Sequence, residues 1–382
     1  MPDLFMNYSE SVPEEFTVVP YITEITAVAK RGHKDISTEN LLLAFVDIYQ
    51  DRPALVEEFV MTVLDRALSD QLEITPRAFR LSLLTAVKLC LRKRSIRDYE
   101  FFSIQAWKQV VLKCLERLDD EFLQFCLRDV STVKIYRYSA LQLLGGLLNH
   151  SHLMSSEGVC ILDGGCSINI GLKCLNDSES FQEIALSPEI ALILGDSLPY
   201  FPIRYALGID KYPPSLERTL ASLFPSEVKR WEDTYVKLYY LKKEKVQYRQ
   251  QDILFLDQQR EFQGKFHIVF LSSLLRRFPQ HQIADVLEQV NYVTSHQSFL
   301  VINEQVSEET IEGGGTYATY ILPKDLLEHL VRQMDGTHTF GLYELLNTAF
   351  QLFVYPDENC QKVSPGRDFQ VFLHRHTTIP QG

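Results

Sequence analysis

The chain has 382 residues, of which 46% are hydrophobic and 23% charged, with a formal net charge of −12. That length has room for two domains, each with its own core, and the acidic balance excludes a broad cationic footprint for nucleic acid. Seven cysteines without a CxxC pair argue against a disulfide framework or a zinc site. No run of 18 apolar residues suggests a membrane span, and Met1-Pro2-Asp3-Leu4 does not begin a secretory signal.

From about residue 21 to 150 the apolar residues recur at helical spacing. Leu41, Leu42, Phe45, Val46 and Tyr49 mark one buried face, and the preceding Asp35-Ile-Ser-Thr-Glu supplies N-cap chemistry. Thr75-Pro76 reads as an N-cap followed by Pro at the first helical position, opening a helix through Leu81, Leu84, Val87 and Leu91. Further helices are expected over Ala106 to Leu118 and Glu121 to Leu127. Near residue 158 the character changes. Runs of strand type at 159–163, 205–210, 246–250, 267–271, 299–303, 350–355 and 369–373 alternate with helical segments at 214–223, 228–241 and 282–293. The last two runs, joined by a turn-rich connection, suit a terminal antiparallel pair. Strand–helix alternation calls for a mostly parallel sheet covered on both faces. The expected fold is therefore α/β: a doubly wound, mostly parallel seven-stranded sheet over 151–382, preceded by an α-helical domain over 1–150. An insertion is expected at about 178–203, within which 181–194 reads as a hairpin that forms a lid or a structural edge.

In such a sheet, ligands bind at the carboxyl ends of the strands, which directs attention to Asp163, Asp210, Asp252, Ser272 and Glu304. Val159-Cys-Ile-Leu-Asp163-Gly-Gly165-Cys-Ser167-Ile-Asn169 is a strand, a glycine turn and a helix start, a geometry that aims backbone N–H groups at a ligand. It resembles the first motif of class I methyltransferases, and Tyr205 to Asp210, Val246 to Asp252, Lys265 to Ser273 and Phe299 to Glu304 follow in the order of the later motifs. The resemblance implies a Rossmann-like fold and S-adenosyl-L-methionine as cofactor. Asp163, Gly165, Ser167 and Asn169 would line the turn, Asp210 would hold the ribose, Asp252 would face the adenine and Ser272 would stand at the fourth strand end. The stretch from Val130 to Glu304 is also similar to a bacterial domain-of-unknown-function family whose turn reads Gly-Ala-Ser-Ala-Gly-Leu-Asn.

Two departures stand out. Ser167 and Asn169 occupy positions where glycine usually permits positive φ, and Gly165 and Asp210 are more than twice as far apart as the roughly 20 residues usual for this pairing. His281 and Glu304 are the candidate proton acceptors for a small-molecule substrate, and no metal is expected. Arg276 and Arg277 read as a solvated rim or a contact for an acidic substrate. The Gly313-Gly314-Gly315 run reads as a loop that gates the site or merely links. Tyr136, Arg137 and Tyr138 are placed by topology to reach the cofactor. Two rivals stay open. One is a non-catalytic binding or assembly protein on the same scaffold. The other is a hydrolase with Ser167 as nucleophile and His338 or His374 as base. A cytoplasmic location is expected, and the N-terminal helices offer a surface for oligomerisation.

Overall fold

Side-chain caps set the starts of several N-terminal helices, because the first turn of a helix leaves N–H donors that short polar side chains satisfy. In the computed structural model, Asp35 accepts from Thr38 N at 2.8 Å, Thr75 from Ala78 N at 3.2 Å and Asp119 from Phe122 N at 2.8 Å. The structure describes residues 17–376 except 71, 129, 131–132, 151–156, 196, 307–315, 335–340 and 358. The Gly313–Gly315 run and His338 therefore lie outside the described residues.

The chain divides into two units, Met1–Val130 with Phe224–Ser226, and Ser131–Leu223 with Glu227–Gly382. The division thus falls at 130, where the sequence suggests 150. The first unit holds α1 (Val19–Arg31), α2 (Ile36–Asp51), α3 (Pro53–Ser69), α4 (Pro76–Lys93), α5 (Ile104–Arg117) and α6 (Asp120–Leu127). On α5, Trp107, Val111 and Leu115 recur every four residues and are fully buried. The Trp107 indole donates to Ser37 Oγ at 3.2 Å, and Ser37 Oγ donates to Tyr99 O at 2.6 Å. The ring is thus buried without orphaning its N–H.

The second unit runs α7 (Ser139–His150), β1 (Val159–Gly164), α8 (Ile170–Cys174), β2 (Ala185–Leu186), α9 (Pro188–Leu194) and β3 (Ile203–Asp210). It continues through α10 (Leu216–Ser222), α11 (Pro225–Tyr240), β4 (Val246–Gln250), β5 (Phe266–Ser272), α12 (Gln280–Val293) and β6 (Thr294–Gln305). It ends with β7 (Tyr317–Pro323), α13 (Lys324–Gln333), α14 (Leu342–Thr348), β8 (Phe350–Tyr355), β9 (Lys362–Pro365) and α15 (Phe369–His376). Strand order is β2-β9-β8-β7-β6-β5-β1-β3-β4. The run β4-β3-β1-β5-β6 is parallel throughout, whereas β6/β7, β7/β8 and β8/β9 are antiparallel. Side chains alternate along the strands into two cores, with Ile161, Phe270 and Val301 on one face and Leu162, Leu271 and Ile302 on the other.

Three expectations are corrected. Among the described residues the sheet has nine strands, not seven, and is mixed, with five pairings parallel and three antiparallel. The short link from β8 to β9 permits only an antiparallel pair, and β2 adds an edge to β9, with Ala185 N donating to Gln361 O at 2.8 Å. Residues 369–373 are helical. Their buried members, Phe369, Phe372 and Leu373, are spaced i, i+3, i+4, which is the helix period and not alternation. Residues 181–194 form no hairpin, since Ser187 caps α9 by accepting from Ile190 N and Pro188 opens it.

Candidate functional site

β1 pairs with β3 on one side and β5 on the other, so the chain's winding reverses at β1, and the carboxyl end of such a strand is where doubly wound sheets bind ligands. The turn that follows takes left-handed backbone at three positions: Gly165 (φ 75°), Ser167 (φ 55°) and Asn169 (φ 54°). A Cβ on Gly165 would lie 3.0 Å from the Leu274 side chain. At the other two positions the left-handed region costs a side-chain-bearing residue about 1–2 kcal/mol, less for Asn. Hydrogen bonds to the end of β3 offset that strain. Gly165 N and Cys166 N both donate to Ile209 O, at 2.9 and 3.0 Å. Ser167 N donates to Asp210 Oδ2 at 2.9 Å, and Asn169 Nδ2 donates to Gln247 O at 2.8 Å on β4. Gly208 completes the fit, because a Cβ there would stand 2.3 Å from Asn169 Oδ1 and 2.7 Å from Cys166 Sγ.

The three strand-end acids gather around this turn, and each has a different environment. Asp163 is 1% exposed and accepts the Tyr138 hydroxyl at 2.6 Å. Burial pushes its carboxyl up to about 8, against the lowering effect of the Tyr138 hydrogen bond and with a raising contribution from Asp210. The Tyr138 ring stacks edge-on against Phe270 and fills the space that a Cβ on Gly171 would need, at 1.9 Å. Asp210 is half-buried. Its Oδ1 accepts from Tyr212 N at 3.0 Å, and burial raises its carboxyl while the hydrogen bonds from Tyr212 and Ser167 draw it down. Asp252 is also half-buried, accepts from Leu254 N at 3.1 Å and lies 3.8 Å from Lys211 Nζ.

Beyond β5 and β6 lies a second polar group. Ser272 Oγ, Asn303 Oδ1 and Glu304 Oε2 are buried atoms without a hydrogen-bond partner among the described residues. Glu304 is fully buried. Its Oε1 stands 3.3 Å from Arg276 Nε, and burial raises its carboxyl despite Arg276. Arg137 donates to Ser273 Oγ at 2.9 Å and lies over the Tyr317 ring at 4.8 Å. Arg137 and Tyr138 thus both reach the strand ends, while Tyr136 packs instead on Trp231. His281 is exposed on the first turn of α12.

The expected site residues fall into groups. Gly165, Ser167, Asn169, Asp210 and Asp252 come together around the turn, and Ser272 and Glu304 stand at adjacent strand ends. Asp163 is in the cluster but sealed beneath Tyr138. Of the two histidines weighed for a hydrolase, His338 lies outside the described residues and His374 does not approach Ser167. Ser167 Oγ contacts Thr219 Oγ1 at 3.3 Å, whereas His374 is on α15 beside β8. Four strand spacings separate β8 from β1, about 19 Å. Thr219, Gly208, Gly171 and Asn303 escaped the sequence reading. Gly208 stands two residues before Asp210, yet its partner Asn169 is far off in sequence.

Among the described residues, the parallel half of this mixed sheet, with its switch point at β1, is that of a doubly wound α/β fold. No family model and no curated protein matches the chain. Among solved structures it is similar to a protein from Listeria monocytogenes described as a candidate S-adenosylmethionine-dependent methyltransferase. The match has 17% identity and a TM-score of 0.23, covering 42% of this chain and 55% of that one. It is also similar to PKMT2 from Rickettsia typhi in complex with AdoHcy (18% identity, TM-score 0.26, 44% and 26% covered). A third is the YcgJ protein from Bacillus subtilis (12% identity, TM-score 0.26, 56% and 66% covered). The chain spans about half the length of the Listeria protein it matches.

Proposed function

We propose that the second unit binds S-adenosylmethionine and methylates a small-molecule acceptor. The observation that carries this reading is the turn at the switch point: Ser167 and Asn169 stand where glycine is usual, yet both adopt the positive φ that glycine would supply. The residues present fit the cofactor in part. Both Asp210 oxygens already accept backbone N–H groups, but each carboxylate oxygen has a second lone pair, so ribose hydroxyls still have acceptors. Asp252, half-buried one strand further out, would take the adenine amino group, and the unpartnered Ser272 Oγ supplies a further polar contact. Asp163 has no exposed face for a ligand and would act through Tyr138 as a positioning residue.

When bound, this cofactor supplies an electrophilic methyl group on a sulfonium. The chain's own contribution is then to hold an acceptor in line and remove its proton. Glu304, buried with its carboxyl raised, and exposed His281 are the candidate proton acceptors. The acidic surface favours a small acceptor over nucleic acid. No helix among the described residues is long and apolar enough to cross a membrane, and a cytoplasmic location belongs to this same proposal, as does oligomerisation through the N-terminal helices. So does membership of the bacterial domain-of-unknown-function family that residues 130–304 resemble.

A second reading, a non-catalytic binding protein on this scaffold, is favoured by one observation. Asp163 accepts the Tyr138 hydroxyl, and the two Asp210 oxygens already accept Ser167 N and Tyr212 N, so both acids have work within the fold. Calorimetric titration with S-adenosylmethionine and S-adenosylhomocysteine separates the two. Micromolar binding that falls at least tenfold in Asp252→Ala, with folding checked by circular dichroism, supports the first reading. No binding by the unaltered protein refutes it and leaves the second.

A further inference from the structure

At the carboxyl ends of β5 and β6, Ser272 and Asn303 are partners in register on neighbouring parallel strands. Their side chains therefore leave the sheet on the same face, from backbones about 4.8 Å apart. Glu304, the next residue, alternates to the other face. Asn303 is fully buried, and its amide is fixed through its nitrogen. Nδ2 donates to Thr319 Oγ1 at 3.1 Å, and that hydroxyl meets the Tyr355 hydroxyl at 2.9 Å. The group left to pair is Oδ1, which has no partner among the described residues and only accepts. Ser272 Oγ is also buried and unpartnered, with one donor and two lone pairs. Buried polar atoms are nearly always paired. Two unpaired ones on adjacent strands, at the end where parallel sheets bind ligands, call for a ligand.

We propose that Asn303 and Ser272 hold an amide edge of the methyl acceptor, its N–H on Asn303 Oδ1 and its C=O on the Ser272 hydroxyl. The charges nearby select a neutral group. Arg137, itself buried, donates to Ser273 Oγ at 2.9 Å, one residue beyond Ser272, and lies 4.8 Å from the centre of the Tyr317 ring. Arg276 lies 6.0 Å from the same ring. With these two guanidiniums beside Tyr317, an ammonium at Asn303 meets like charge. A carboxylate finds no donor in Asn303 Oδ1. An amide supplies the donor that Oδ1 lacks and the acceptor that the serine hydroxyl lacks. Asn303 stands two strand spacings from β1, about 10 Å, which places this edge beyond the turn that would hold the cofactor. Calling the ligand the acceptor rests on the methyl-transfer reading; the amide site itself does not.

The full-length protein, labelled with nitrogen-15 in its asparagine side chains, is titrated with acetamide, acetate and methylammonium at equal concentrations. The Asn303 Nδ2 signal is assigned by its loss in Asn303→Asp. Acetamide should shift that signal saturably, and acetate and methylammonium should not. Ser272→Ala keeps Asn303 and its bond to Thr319, and should bind acetamide about fivefold more weakly for the loss of one hydrogen bond. No saturable shift with acetamide, the result for a pair that holds only an ordered water, would overturn the proposal. So would an equal shift with acetate or methylammonium, or undiminished acetamide binding by Ser272→Ala. Calorimetry with S-adenosylmethionine tests the methyl-transfer reading separately. Cofactor binding without an acetamide shift refutes the amide site alone, whereas an acetamide shift in a protein that binds no cofactor upholds the site and refutes methyl transfer.

Discussion

Replacing Tyr138 with Phe removes one hydroxyl and leaves the ring, so the stacking on Phe270 at 5.2 Å and the cover over Gly171 survive. What is lost is the hydrogen bond to a carboxyl with no exposed surface. Asp163 has an ordinary value of 3.8 and a folded value of about 8. The folded state therefore keeps a proton that the unfolded chain has released, and Asp163's effect is to lower stability as pH rises through that window. The slope approaches about 1.4 kcal/mol per pH unit, for a total on the order of 6 kcal/mol if nothing relaxes. The Tyr138 hydroxyl limits this loss by favouring the ionised form. Tyr138→Phe should cost about 1 kcal/mol at pH 6, where a neutral hydrogen bond is lost, and about 2 kcal/mol at pH 9, where the bond is to a charge. Hydrogen exchange in β1 and β5, expressed as protection factors, reads this locally. Protection should fall about fivefold at pH 6 and about thirtyfold at pH 9. An equal loss at the two pH values would show that Asp163 does not ionise in the folded protein over this range, and no loss at either would show that Tyr138 does not hold it.

Gly171→Ala places a methyl 1.9 Å from the Tyr138 ring, which Phe270 and Asp163 hold in place. Overpacking of this kind costs about 1–3 kcal/mol, and a thermal midpoint within a degree of the parent's would refute the packing described. Asn169→Ala loses the bond to Gln247 O and puts alanine at φ 54°, together about 2 kcal/mol, whereas Asn169→Gly loses only the bond, about 1 kcal/mol. Urea denaturation of the pair should rank glycine above alanine, and the reverse order would mean that backbone strain is not what Asn169 relieves.

The parallel half of the sheet was legible because its strands alternate with helices, and acids stand at or near most of their carboxyl ends, a pattern whose geometry leaves few topologies. The other half was not. β7 is buried along its whole length, so it lacks the alternation that marks a strand, and β2 has two residues and no signal beyond its pairing with β9. The site divides in the same way. Asp210 ends β3 and Asp252 lies two residues beyond β4, positions that follow from the order of the runs. Asp163 ends its strand too, yet what decides its role is a tyrosine before β1 and a glycine in α8, neither adjacent to it in sequence. Ser167 and Asn169 looked like departures from a glycine pattern when taken one position at a time. With Gly208 supplying room for Asn169 and Asp210 accepting from Ser167 N, they are one half of a matched pair of strand ends. The glycine absent from the turn has, in effect, its counterpart on β3, where a single-sequence comparison of turns has no reason to look. The turn's backbone shape and its loss of glycine are therefore compatible, and the motif's departure is weak grounds for calling the scaffold decayed. Stronger grounds would be the filling of Asp210's remaining lone pairs, which is what titration with the cofactor measures.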